Sequence, residues 1–390
     1  MSARATTLVQ HANELFTREF QSIATHGGGA PGRVNLIGDH TDYAMGLALP
    51  MAIDRRCVVL GAVRPRKDSV LSIASTSQPG AVHVSDLAAV HPRGWWSYAQ
   101  GVAAMFARHQ LVPGHLGLDL AVASDVPLGS GLSSSAAFEV ATATCLEGLL
   151  DVRLDPHDKA RWCQQAEHDF AGVPCGIMDQ TASVLGRAGR ALRMDFSTGQ
   201  TAFVTLPADL RIVVVNTGVR HALGEGAYAR LHAAAQRART LLGEARLRNE
   251  RPLEPHELPR QDALTRNVAE HVRSESLRVD RCIEALARED WVGFLARVRE
   301  SHESMRDRLG ASCPEIECIV GAIDARPERA WAARPTGAGF GGCVVVLGRG
   351  VEEGEVSRCV APVFQDSFGR APEVWDVRAA DGAAAPQALI

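Results

Sequence analysis

The sequence predicts a mixed α/β protein of two domains or three, on three observations. The chain has 390 residues, and domains commonly run about 100–200 residues. Apolar, β-branched segments of strand character lie at residues 57–63, 70–74, 118–124, 191–195, 212–217 and 343–347. Segments of helical spacing at residues 96–109, 136–150, 157–170, 227–242, 278–309 and 351–368 interleave with them, which argues against a β-sandwich or a helical bundle.

Taken in order, residues 33–37 suggest one more short strand, ending at Gly38. Residues 246–261, with Pro252, Pro255 and Pro259 among charges, read as an exposed connector. The Ala-rich residues 379–390 have little to pack and are expected to fray. No internal repeat is visible.

Composition narrows the function. With 46% apolar and 22% charged residues, the chain is globular. Its 41 basic and 45 acidic residues give −4, without a basic stripe, so nucleic acid is not an expected partner. Only two lysines occur, Lys67 and Lys159, both in polar surroundings that suggest solvated side chains. No G-K-[S/T] exists, which excludes a Walker-type phosphate loop. Nine scattered cysteines, an odd number without C-x-x-C and with no secretory segment ahead of them, fit a reduced, cytoplasmic protein. No apolar run of about 18 residues is present, so no membrane span is expected.

Four segments carry candidate chemistry. The first, residues 30–43, sets Arg33, Asn35, Asp39, His40 and Asp42 around Gly32 and Gly38. Short acceptors on one loop suit sugar hydroxyls, but they also suit a metal ion or a plain turn. The second, Gly129, Ser130, Gly131, Leu132, Ser133, Ser134, Ser135 and Ala136, joins a strand to a helix. Glycines allow close backbone approach and the helix N-terminus favours anions, so this is a candidate phosphate site, with Mg²⁺ supplying charge that lysine does not. In the third, residues 175–180, Asp179 lies between apolar Ile177-Met178 and Gln180, as a base, a fixed charge or a helix cap. The fourth, residues 334–343, packs four glycines before a strand and by itself reads equally as a tight turn.

Taken together, these segments resemble a known family. Residues 33–43 resemble the galactokinase signature, and residues 129–137 and 337–342 resemble the second and third motifs of the GHMP kinases. Residues 166–168, 174–180, 301–304 and 312–315 match in order and spacing, so the resemblance runs from about residue 28 to 348. It implies a two-domain fold: an N-terminal mixed α/β domain, residues 1–190, and a C-terminal ferredoxin-like domain, residues 191–390, with the active site between them. It also implies transfer of the ATP γ-phosphate to the anomeric hydroxyl of D-galactose. Asp179 would be the catalytic carboxylate with Arg33 beside it. Ser135 and Glu167 would hold Mg²⁺. Asp39, His40, Asp42, Gly176, Asp179 and Tyr228 would contact the sugar, while Trp95 and Tyr98 would flank the adenine and residues 129–136 the phosphates. A monomer is the default expectation.

The chain departs from the pattern at Asp39, where the family usually has glutamate, at Ala44 in place of asparagine, at Pro335 in place of methionine, and at Ala338 in place of glycine. Asp39 opens the alternative of a 1-kinase for another sugar, such as a hexosamine or a pentose. A non-catalytic sugar and ATP sensor is the rival from another class. Those sensors lose residues from the serine–alanine run, which is complete here.

Overall fold

A computed structural model describes residues 3–65, 70–89, 94–219, 225–254, 256–259, 262–385 and 387–389. Helix α1 (Ala3–Phe20) leads into strand β1 (His26–Asn35), followed by β2 (Leu47–Ala48), β3 (Pro50–Pro65), β4 (Leu71–Ser75) and β5 (Gln78–Val84). Next come α2 (Ser97–Arg108), β6 (Leu116–Ser124), α3 (Ser134–Leu149), α4 (Pro156–Ala166) and α5 (Met178–Leu185). Strands β7 (Arg190–Asp195) and β8 (Gln200–Thr205) form a small sheet with β2.

The main sheet has the order β1-β3-β6-β4-β5 and is covered on both faces. On one face, Leu8, Ala12, Leu15 and Phe16 of α1 pack on Val58, Leu60, Ala121 and Ala123. Helix α3 lies against the other face. Its approach to β1 depends on Gly28, where a Cβ would come within 2.4 Å of the Ala141 carbonyl oxygen. Burial on both faces explains why residues 120–123 of β6 read as a continuous apolar run rather than an alternating one.

The second half opens with β9 (Leu210–Asn216), then α6 (Glu225–Leu242), α7 (Glu244–Leu247), α8 (Ala263–Ala287), α9 (Trp291–Ser304) and α10 (Pro314–Asp324). It closes with β10 (Trp331–Pro335), β11 (Cys343–Arg349), α11 (Glu353–Phe368) and β12 (Glu373–Val377). Its antiparallel sheet runs β10-β11-β9-β12. With α11 joining β11 to β12, this is the ferredoxin-like order expected. Val213, Val215, Val344 and Val346 form its core against α10 and α11.

Several expectations change. The strand expected at 33–37 ends at Asn35 and extends back to His26. The helix expected over 278–309 is two helices, because Glu289 turns left-handed (φ 54°) and Asp290 caps α9 by accepting from the Gly293 N–H. Lys159 is buried and pairs with Glu147 at 2.6 Å, since the apolar side of α4 carries it inward; Lys67 lies outside the described residues. The connector 246–261 is anchored by Arg246–Glu257 and by buried Leu247 and Leu258. The tail does not fray along its described length. Strand β13 (Gln387–Ala388) pairs with the free edge of β1, and the Ala383 N–H donates to the Ser183 carbonyl. No helix among the described residues is long and apolar enough to cross a membrane.

Candidate active site

A cavity of about 860 Å³ opens where β1, the N-termini of α3 and α5, the start of α6 and the loop before β11 converge. Arg33, near the end of β1, is the hub. Its Nε and Nη2 donate to the two oxygens of Asp179 at 2.8 and 2.7 Å, and its Nη1 donates to the Gly131 carbonyl at 2.6 Å. The Ser133 hydroxyl adds a bond to Asp179 Oδ2 at 2.6 Å. A bidentate fork of this kind fixes orientation as well as charge. Asp179 is the second residue of α5, inside the helix rather than at its cap, which is Ile177.

The Gly/Ser loop brings its backbone into the cavity. Gly129, Gly131 and Ser133 all have left-handed φ (67°, 80° and 60°), and no side chain caps α3. The first N–H groups of α3 are thus free of side-chain acceptors, as an anion site requires. Gly129, Gly131, Ser133, Ser134 and Ser135 line the cavity. Ser130, Leu132 and Ala136 do not: Ser130 donates to the Pro127 carbonyl, and the other two side chains sit in the core. Trp95 and Tyr98 close this end, both against Phe138.

At the opposite end stand Asp39, His40, Asp42, Gly176 and Tyr228. Asp39 is 1% exposed; its Oδ2 lies 2.6 Å from Arg334 Nη2, and its Oδ1 accepts from the Gly337 N–H at 3.1 Å. His40 Nε2 donates to the Ala338 carbonyl, so Nδ1 accepts from the Tyr43 hydroxyl. Burial holds this imidazole neutral by lowering its pKa. Asp42 packs against Gly176, and burial followed by the charge of Asp179 pushes its pKa up to about 7. The Tyr228 ring lies 5.9 Å from that of His40 and 5.6 Å from that of Tyr43.

Behind Asp179 is a second acidic layer. Gln180 Nε2 bridges Glu167 Oε2 at 2.7 Å and Glu139 Oε2 at 3.1 Å. Glu167 also accepts from the thiol of Cys175. Burial, then the neighbouring Glu167, pushes the Glu139 pKa well up, while burial and Asp179 raise that of Glu167. No group of three or more His, Cys, Asp or Glu side chains suited to a metal occurs among the described residues. Glu167 ends α4 at a π-helical turn, Glu167–Ala171, closed by the Gly172 N–H on the Glu167 carbonyl at 2.8 Å.

The fold thus brings all four segments to one cavity, while Asn35, Ser130, Leu132 and Ala136 do not line it. Sequence reasoning missed Glu139 and the partner of Asp39, Arg334. A glutamate on the otherwise apolar face of α3 was a usable signal; an arginine opening a glycine-rich loop was not.

Comparisons with known proteins follow the same lines. The model described as "Galactokinase galactose-binding signature" matches residues 14–63, that of the GHMP kinases N terminal domain residues 97–187, and that of the GHMP kinases C terminal residues 282–363. The galactokinase of Homo sapiens is 38% identical over 390 residues, 96% of each chain. That of Streptomyces coelicolor is 36% identical over 98% of each. Among solved structures, Lactococcus lactis galactokinase complexed with galactose superposes with a TM-score of 0.83 at 25% identity, covering 97% of this chain and 99% of that one. An L. major mevalonate kinase in complex with R-mevalonate, at 18% identity and a TM-score of 0.63, shares the fold. The chain belongs to the galactokinase family of the GHMP kinases.

Proposed function

We propose that the chain transfers the γ-phosphate of ATP to the anomeric 1-hydroxyl of D-galactose, giving galactose 1-phosphate and ADP. The observation that carries this reading is the bidentate Arg33–Asp179 pair, set between an uncapped helix N-terminus and a loop of sugar-type acceptors. The sugar oxygen attacks the γ-phosphorus as the bond to the β–γ bridging oxygen breaks, and Asp179 receives or orients the hydroxyl proton. Arg33 fixes the carboxylate of Asp179 and contributes positive charge beside the transferring group.

Asp39, His40, Asp42, Tyr228 and the backbone of Gly176 surround the sugar in this reading. Trp95 and Tyr98 flank the adenine, while residues 129–136 take the phosphates through backbone N–H groups. Ser135 and Glu167 would hold Mg²⁺. Glu139, Glu167 and Asp179 lie close enough for Asp179 to raise the pKa of both glutamates, while Asp179 alone is paired with the Arg33 guanidinium, and a carboxylate cluster of this kind suits a divalent cation. Two protein oxygens are a fitting set for Mg²⁺, which keeps water and phosphate oxygens in its remaining positions. When bound it neutralises phosphate charge. Residues 1–190 and 191–390 serve as the two domains that enclose the site, with β7 and β13 at the ends of the second range joined to strands of the first. The nine cysteines, all free, fit a cytoplasmic setting.

A second reading, a 1-kinase of a hexosamine or pentose, is favoured by one observation: both oxygens of Asp39 already have protein partners. A panel of monosaccharides with ATP and Mg²⁺, read by ADP release, tests both. Galactose should give the highest kcat/KM. No turnover of galactose alongside turnover of another sugar would refute the proposal.

A further inference from the structure

We infer that His271 and Glu275, one turn apart on α8, are positioning residues that hold the backbone of the sugar loop from the second half of the chain. The inference deepens the proposed function by naming what fixes the sugar end of that site. The loop between β1 and β2 needs such support. Gly38 has φ 101° with its Cα hydrogens against Ala48, and His40, which is not glycine, has φ 59°. A left-handed histidine persists only where its surroundings over-determine it.

Helix α8 supplies that constraint. Glu275 Oε1 accepts from the Gly38 N–H at 2.9 Å, and His271 Nε2 donates to the Asp39 carbonyl at 3.0 Å. The two contacts thus bracket the peptide group joining Gly38 to Asp39. Further along, Ser276 Oγ accepts from the Leu47 N–H at 3.2 Å, where the loop ends. None of these side chains lines the cavity, and all three are buried.

Both grips are themselves fixed. A carbonyl only accepts, so His271 carries its proton on Nε2 and accepts a hydrogen bond from the Ser304 hydroxyl at Nδ1. Burial pushes the His271 pKa down to about 3 and keeps it neutral. Glu275 is buried, which opposes ionisation, but Arg278 and the surrounding donors outweigh this and hold its pKa down at about 2. Arg278 Nε donates to Glu275 Oε2 at 2.7 Å, and the Ser301 hydroxyl donates to Oε1. An ionised acceptor aimed at one backbone N–H is stronger and more directional than a neutral one.

The test compares Glu275→Met, Glu275→Gln and His271→Leu in the full chain. Glutamine keeps an oxygen for the Gly38 N–H but loses the charge facing Arg278; methionine loses both. Both variants should lower Tm. Only Glu275→Met should raise the KM for galactose, by about tenfold or more, with the KM for ATP within about threefold. His271→Leu should show the same split and supplies the reading should Glu275→Met not fold. If the variants lower Tm yet leave both KM values unchanged, or raise both together, the residues are merely structural and the inference falls. Should the wild type turn over a sugar other than galactose, the proposed substrate falls instead, and the split is read on that sugar.

Discussion

Gly176→Ala isolates the sugar end of the site with a single methyl group. The backbone at Gly176 is not in the left-handed region, so alanine brings no conformational strain. The added Cβ would, however, stand 1.8 Å from Asp42 Oδ2 and 2.2 Å from Asp42 Cγ. Contact between such atoms settles near about 3.5 Å, so the carboxylate must retreat by roughly 1.7 Å. A hydrogen bond does not survive that displacement. With a charged acceptor it contributes about 1.5–3 kcal/mol, or about 10- to 150-fold in binding. The expected outcome is a galactose KM raised by that factor, with the KM for ATP within about threefold, read by coupled ADP release at saturating ATP. The double variant Gly176→Ala, Asp42→Ala should be no worse than Asp42→Ala alone, because both changes remove one contact. A Gly176→Ala enzyme with unchanged galactose KM, or additive losses in the double variant, would refute the placing of Asp42 on the sugar.

The other predictions address the remaining parts of the site. Asp179→Asn keeps shape and removes charge, so kcat should drop by about 10²–10⁴ while the Kd for ATP stays within about threefold; near-normal turnover would remove Asp179 from the chemistry. Glu167→Ala should shift the Mg²⁺ concentration for half-maximal activity upward by at least about tenfold, and an unchanged titration would contradict its assignment. Asp39→Ala leaves the fully buried Arg334 without its carboxylate and should cost about 3–5 kcal/mol in urea unfolding, part of which Arg334→Leu should restore in the double variant. The pKa of Asp42, up at about 7 against an ordinary 3.8, means the folded free enzyme keeps that proton where the unfolded chain has lost it. Its contribution to stability is therefore full at acid pH and lost as pH rises through about 7, while kcat/KM for galactose should rise over the same range as the carboxylate ionises. Asp42→Asn should flatten that rise.

The chemistry-bearing segments were legible because each is local. Arg33, Asp39, His40 and Asp42 lie within ten consecutive residues, and the Gly/Ser loop carries its own strand-to-helix context. The strands at 118–124 and 343–347 were legible because burial on both faces leaves runs of apolar residues, 120–123 in the first and 343–347 in the second. What escaped was non-local. One helix ends and another starts within a stretch that keeps helical spacing throughout, so only the left-handed Glu289 and the bond from the Gly293 N–H to Asp290 mark the break. The pairing of β13 with β1 joins residues more than 300 positions apart, and nothing in an Ala-rich tail announces it. Asp39 was legible as an acidic residue on a polar loop, but its tie to Arg334 exists only after the two halves meet.

The π-helical turn at Glu167–Ala171 ties the site to chain length. Such a turn holds one residue more than the α-helical ladder can take up, and α4 places that surplus directly before the segment that carries Cys175 and Gly176. Deleting any one residue of 168–171 would let the helix close normally and draw the following segment back by about 1.5 Å with a turn of about 100°. The helix would gain a regular hydrogen bond, and Gly176 would no longer meet Asp42. Among related chains, gaps are therefore not expected between Glu167 and Asp179, where the spacing itself sets the distance between two carboxylates.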